Sequence, residues 1–220
     1  MQLDTIDLEP DPGPATATLI ILHGLGADGS DFLPLRDELS LDAIGPVRFV
    51  LPSAPVMPVS INGGYRMRAW YDILPNDDAR REHEASLRQS HGLIDALIER
   101  EIARGMPPER IVLMGFSQGC AMTLMTGLRQ PHKLAGLVAL SGYLPLLDKT
   151  AAERLPANQH TPIFMAHGQY DDVVPMRRGE LARDHLQSLG YQVEWHDYPM
   201  DHTLCMDEVR ALDAWLLKVL

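Results

Sequence analysis

Gly115-Phe116-Ser117-Gln118-Gly119 sets a serine between two glycines directly after Ile111-Val112-Leu113-Met114, an apolar run that reads as a strand. The pattern G-x-S-x-G between a strand and a helix describes a sharp turn that lifts a serine hydroxyl out of the backbone as a nucleophile, and a Cβ at either glycine would crowd it. Such a hydroxyl is a poor nucleophile at neutral pH. It needs an imidazole to take its proton and a carboxylate to orient that imidazole. Asp171 in His167-Gly168-Gln169-Tyr170-Asp171 and His202 in Tyr198-Pro199-Met200-Asp201-His202 follow two later apolar runs. They supply these groups in the chain order serine, acid, histidine. Asp172 and Asp201 are the rival acids. The first would point to another side of the turn, and the second adjoins His202 too closely to reach its Nδ1. His167 and His196 fall within strand runs and His23 ends an early one, so packing or local hydrogen bonds suit them better. A tetrahedral intermediate also needs donors for its oxyanion, and two backbone amides are expected to serve, those of Gln118 and of Leu25 in His23-Gly24-Leu25-Gly26.

The elements that must position these residues are short apolar runs ending in turn-formers: 17–23, 47–51, 111–114, 137–141 and 163–167. Runs apolar on both faces predict parallel strands covered by helices. Helix-period leucines with charged faces occupy 82–104, 118–129, 176–189 and 204–220. This alternation implies an α/β architecture, a mostly parallel central sheet flanked by helices on both faces. Alternation over 1–9 fits an antiparallel edge strand, and 192–196 fits a last strand. The stretch 52–75 holds four prolines, Asn62-Gly63-Gly64 and then Tyr65-Arg66-Met67-Arg68-Ala69-Trp70-Tyr71. It is longer than a plain connection needs and predicts a flap over the sheet edge.

With 220 residues and 45% hydrophobic composition, the chain can bury the core of one domain spanning 1–220. A formal net charge of -11 with no Lys/Arg block argues against nucleic acid as a partner. The N-terminus lacks the pattern of a signal peptide, and no stretch approaches a membrane span, so a cytoplasmic protein is expected. Cys120 and Cys205 form no C-x-x-C pair and read as reduced thiols. Gly24-Leu25-Gly26-Ala27-Asp28-Gly29 satisfies G-x-G-x-x-G, but no helix follows at once, and the second strand ends in Leu51-Pro52-Ser53 with no acid for a ribose. No nucleotide cofactor is expected. The nine histidines include no H-E-x-x-H, so no catalytic metal is expected either.

Several further blocks join these: Leu51-Pro52-Ser53-Ala54-Pro55, Gly63-Gly64-Tyr65-Arg66-Met67-Arg68-Ala69-Trp70-Tyr71-Asp72, Ser141-Gly142-Tyr143-Leu144-Pro145 and Asp171-Asp172-Val173-Val174-Pro175. In them the chain resembles, over nearly its whole length, the phospholipase/carboxylesterase family of the α/β-hydrolases, the group of carboxylesterases and acyl-protein thioesterases. The resemblance implies an α/β-hydrolase fold, Ser117, Asp171 and His202 as the catalytic residues, and the Leu25 and Gln118 amides as the oxyanion hole. It further implies a cofactor-free, often homodimeric enzyme acting on small ester or thioester substrates, on lysophospholipids or on S-acylated proteins. Cys120 stands where a further glycine is usual, and Thr203 where serine is common. The expected function is hydrolysis of carboxylic esters of short to medium acyl chains through an acyl-enzyme on Ser117. An acyl-protein thioesterase or lysophospholipase is the alternative, and a non-catalytic binding protein on the same scaffold is the distant one. Met67, Trp70 and Leu144 are expected on the acyl side of the cleft, and Leu25 with them. Burial there would favour longer acyl chains up to about six to eight carbons, at roughly 0.8 kcal/mol per methylene.

Overall fold

The computed structural model describes residues 3–10, 13–75 and 81–220. Seven strands form the main sheet: β1 (Asp4–Leu8), β2 (Ala17–Leu22), β3 (Val47–Ser53), β8 (Ile111–Phe116), β9 (Gly136–Leu140), β10 (Ile163–Gly168) and β11 (Val193–Tyr198). Four shorter ones make two hairpins, β4 (Val56–Val59) with β5 (Tyr65–Arg68) and β6 (Ile73–Leu74) with β7 (Arg81–Glu82). The helices are α1 (Leu35–Glu38), α2 (Glu84–Ala103), α3 (Gln118–Gly127), α4 (Leu147–Glu153), α5 (Met176–Ser188) and α6 (Met206–Val219).

The sheet order is β1-β3-β2-β8-β9-β10-β11, with β1 antiparallel to β3 and every other pairing parallel. Strand periodicity sorts the core into two layers. Ile20, Leu22, Leu113 and Met165 pack with α2, α3 and α5, while Leu19, Ile21, Met114 and Phe164 pack with α6 and the segment carrying Phe32 and Leu35. All six residues of β2 are buried because both of its faces are covered. The chain runs from β2 to β3 on one side and returns to β8 on the other. The strand order therefore reverses between β2 and β8, and the loops leaving their carboxyl ends flank the crevice where such sheets place ligands.

The last strand and the antiparallel edge strand lie where the pattern predicts them. β3 runs two residues past the apolar run, to Ser53, with Pro52 opposite Thr5 of β1. A proline offers no N–H, so its composition hides its strand role at that position. Helix α2 begins at Glu84, capped by His83, whose ring accepts the Ser86 N–H; Glu82 instead belongs to β7, opposite Ile73. Within 52–75 the chain forms the β4–β5 hairpin and β6.

Candidate active site

The turn after β8 puts Ser117 at φ 56 and ψ -116, a left-handed conformation that a serine adopts at a cost of about 1–3 kcal/mol. Close packing on both sides holds it there. A Cβ on Gly115 would stand 2.2 Å from the Gly119 carbonyl oxygen, and one on Gly119 would stand 2.1 Å from that of Leu22. Both obstacles are backbone. The two glycines thus let α3 descend onto β2, and the Ser117 N–H is fixed to the Leu140 carbonyl at 2.9 Å.

His202 reaches this serine from the loop after β11. Its Nε2 lies 2.9 Å from Ser117 Oγ and its Nδ1 lies 2.7 Å from Asp171 Oδ2, while its ring packs 4.7 Å from that of Phe116. The Asp171 side chain is fully buried, and its Oδ1 accepts the N–H groups of Val173 at 3.0 Å and Val174 at 2.7 Å. Those two bonds fix the carboxylate with Oδ2 aimed at the imidazole. Asp172 and Asp201, the rival acids, are exposed. His167 is buried, with Nε2 donating to the Val174 carbonyl at 2.8 Å, and burial pushes its pKa down. His23 donates from Nδ1 to the Gly24 carbonyl at 2.6 Å and accepts the Ala54 N–H at Nε2 at 2.9 Å.

The loop after β2 brings Gly24 beside the serine; a Cβ there would stand 3.4 Å from Ser117 Cβ. In that loop the Gly26 N–H bonds to the Arg68 carbonyl and the Ala27 N–H to the Gly24 carbonyl. The Leu25 N–H has no backbone partner among the described residues, and neither does the Gln118 N–H at the start of α3.

A cavity of about 60 Å³ opens beside Ser117, and Leu25, Tyr71, Ile73, Gln118, Tyr143, Val174 and Arg178 line it. Of the residues expected on the acyl side, Leu25 lines this cavity, and Met67, Trp70 and Leu144 stand outside it. Trp70 is fully buried elsewhere, with Nε1 donating to the His23 carbonyl at 2.9 Å and its ring 5.3 Å from the His23 ring; its neighbour Tyr71 faces the cavity instead. Leu144 lines an adjoining, larger cavity, and the Met67 sulfur lies on the Gly26 side of the hairpin. The Gln118 side chain has a role the sequence did not announce. Its Oε1 accepts the Trp70 N–H and its Nε2 donates to the Tyr71 carbonyl, each at 2.7 Å, so the elbow itself anchors the 70–71 segment. Tyr71 and Tyr143 share a hydroxyl–hydroxyl bond of 2.8 Å, and burial pushes both hydroxyls above the usual phenol range. Cys120 is buried behind the elbow and Cys205 is half-buried; both are free.

Among the described residues no group of three His, Cys, Asp or Glu side chains is arranged to hold a metal ion. The chemistry available is nucleophilic attack by a hydroxyl whose proton passes to an imidazole held by a carboxylate, beside two unspent amides.

Known proteins resemble the chain over nearly its whole length. The profile of the family described as Phospholipase/Carboxylesterase matches residues 5–220. An acyl-protein thioesterase 1 of Yarrowia lipolytica is 42% identical over 207 residues, covering 91% of each chain. Among solved structures, esterase PE8 superposes with a TM-score of 0.86 at 31% identity over 100% of both chains. SOBER1 of Arabidopsis thaliana does so with 0.87 at 29% identity, over 92% of this chain and 98% of that one.

Proposed function

The chain belongs to the phospholipase/carboxylesterase family of α/β-hydrolases, and we propose that this hydrolase of carboxylic esters and thioesters acts chiefly on S-acyl thioesters, with Ser117 as its nucleophile. The observation that carries the assignment of roles is the unbroken hydrogen-bonded run from Ser117 Oγ through His202 to Asp171. Ser117 Oγ attacks the acyl carbonyl as its proton moves to His202 Nε2. Asp171 keeps the proton-bearing Nδ1 in place and stabilises the imidazolium. The oxyanion is received by the Leu25 and Gln118 amides, whose lack of other partners leaves them ready to donate without reorganisation. His202 then protonates the departing thiolate or alkoxide. A water molecule, deprotonated by the same nitrogen, releases the acyl group from Ser117.

The preference for thioesters rests on the relatives named acyl-protein thioesterase 1 at 42% identity, which support it over the short- to medium-chain carboxylic esters expected from sequence. Ester cleavage remains the second reading, favoured by the likeness to esterase PE8. An acylated protein as the natural substrate, a homodimeric state and a cytoplasmic site of action complete the proposal. Two free thiols support the last, since reduced cysteines suit a reducing compartment. No described helix is long and apolar enough to cross a membrane.

Ser117→Ala should lower hydrolysis of both substrate classes by roughly 10³-fold or more, and a fluorophosphonate should add once to the parent chain at Ser117 and not to the variant. Asp171→Asn should lower kcat by about 10³- to 10⁴-fold, while the exposed Asp172→Asn changes it little. An adduct mapped to another residue would remove Ser117 from its role, and equal losses at 171 and 172 would leave Asp171 without its role.

A further inference from the structure

The cavity beside Ser117 shares a wall with a larger one of about 630 Å³. Ile73 lines the small cavity and Leu74, the next residue of β6, the large one; Tyr143 and Leu144 divide in the same way. The rest of the wall is ionic. Arg178 lines the small side, Glu82 the large side, and Arg178 Nη2 lies 3.3 Å from Glu82 Oε1. The guanidinium also sits 3.5 Å from the centre of the Tyr143 ring, so an aromatic face and a carboxylate hold it together. Arg178 stands in the first turn of α5, where the helix dipole disfavours a cation. Its partners on the wall account for its place; helix stability does not.

We propose that Arg178, paired with Glu82, is a specificity-determining residue that ends the acyl pocket and restricts the substrate to short acyl groups. The proposal rests on the serine-hydrolase reading and adds the acyl length to it. At ~30 Å³ per water-sized group, the 60 Å³ beside Ser117 holds about two carbons beyond the carbonyl. A longer chain meets a paired charge. To pass, it must leave Arg178 or Glu82 without its partner beside methylenes, a loss that the burial of a few methylenes does not offset. Behind the wall lie Leu74, Leu144, Leu146 and Leu147, set among Glu84, Asp148 and Lys149, and a chain would cover the leucines if the ion pair were gone.

The test compares the parent, Arg178→Ala and Glu82→Gln on p-nitrophenyl esters and matched thioesters from acetyl to decanoyl. Parent kcat/KM should peak at or below about butanoyl. Each methylene newly admitted to the apolar surface is worth about fourfold, so the decanoyl-to-butanoyl ratio of kcat/KM should rise at least roughly tenfold in Arg178→Ala. Glu82→Gln keeps the wall's shape and loosens its hold on Arg178, so its ratio should rise by less. Phosphonate labelling of Ser117 is measured alongside. Labelling with an unchanged ratio in both variants, or a parent peak at octanoyl or beyond, overturns the role of Arg178 alone. A parent preference for acyl groups ending in a carboxylate over alkyl groups of equal length overturns it too, because Arg178 would then be an anion anchor. Failure of the parent to label overturns the serine-hydrolase reading and this proposal with it.

Discussion

Among the histidines near the strand ends, the roles follow from what each ring nitrogen still has free. Both nitrogens of His23 are bonded to backbone, which suits the neutral ring, and burial pushes its pKa down. Among the described residues His202 alone bridges a serine hydroxyl and a buried carboxylate. Glu208 is a residue whose charge has no such use. It is fully buried in the first turn of α6, and burial pushes its carboxyl from 4.5 up to about 8, against a weaker pull from the Cys205 backbone. A raised pKa means that the folded state holds this proton where the unfolded chain has released it. The stabilisation is therefore complete below 4.5 and is lost as pH rises through about 8. Glu208→Gln removes that dependence. The variant's Tm minus the parent's should grow by at least about 3 °C between pH 5 and 8 and then level off, as followed by thermal unfolding across pH. A difference that stays flat over this range would remove the burial argument.

At the scale of elements, contacts made by few atoms fix the spacing on which the site depends. The close descent of α3 onto β2 sets where Ser117 stands relative to the Leu25 loop. Far from the site, Glu101 of α2 is fully buried and bonds Arg48 of β3 at 2.9 Å, with Arg100 and Arg104 at 3.0 and 3.2 Å. These arginines reach on to Asp7 of β1 and to Glu9, so one carboxylate ties the edge strand to the helix layer. Removing its charge leaves cations clustered around an amide, a change of the kind that costs about 3–5 kcal/mol when a buried pair is broken. Glu101→Gln should lower Tm by at least about 6 °C, whereas Glu9→Gln, at an exposed partner, should lower it by less than about 3 °C. Equal shifts in thermal unfolding would place the tie elsewhere.

Across the whole molecule, strand order and surface charge set what the site can meet. The reversal of strand order beside β2 gathers the Leu25 loop and the elbow at one sheet edge, and β10 and β11 deliver Asp171 and His202 to the same edge. A formal net charge of -11 offers phosphate backbones repulsion in place of counterion release. Labelled duplex DNA titrated with the protein at low salt should show no change in anisotropy. A salt-sensitive rise would contradict this.

The chain alone determined the strand–helix alternation, the elbow and the order of Ser117, Asp171 and His202, because apolar periodicity and glycine-framed turns are local properties carried by neighbouring residues. The turns that carry the Leu25 and Gln118 amides were legible for the same reason. The acyl side was not. Whether Trp70 or Tyr71 faces the cavity depends on the Gln118 side chain, 47 residues or more away in the chain, which seizes the backbone of both. Helix α4 carried no strong pattern in its seven residues. The Arg178–Glu82 wall spans 96 positions in sequence, and no local pattern distinguishes an arginine on a solvated helix face from one that ends a pocket. Only the packing of α5 against β7 and Tyr143 decided that, because long-range contacts are set by the tertiary arrangement of elements, whose identities are written locally.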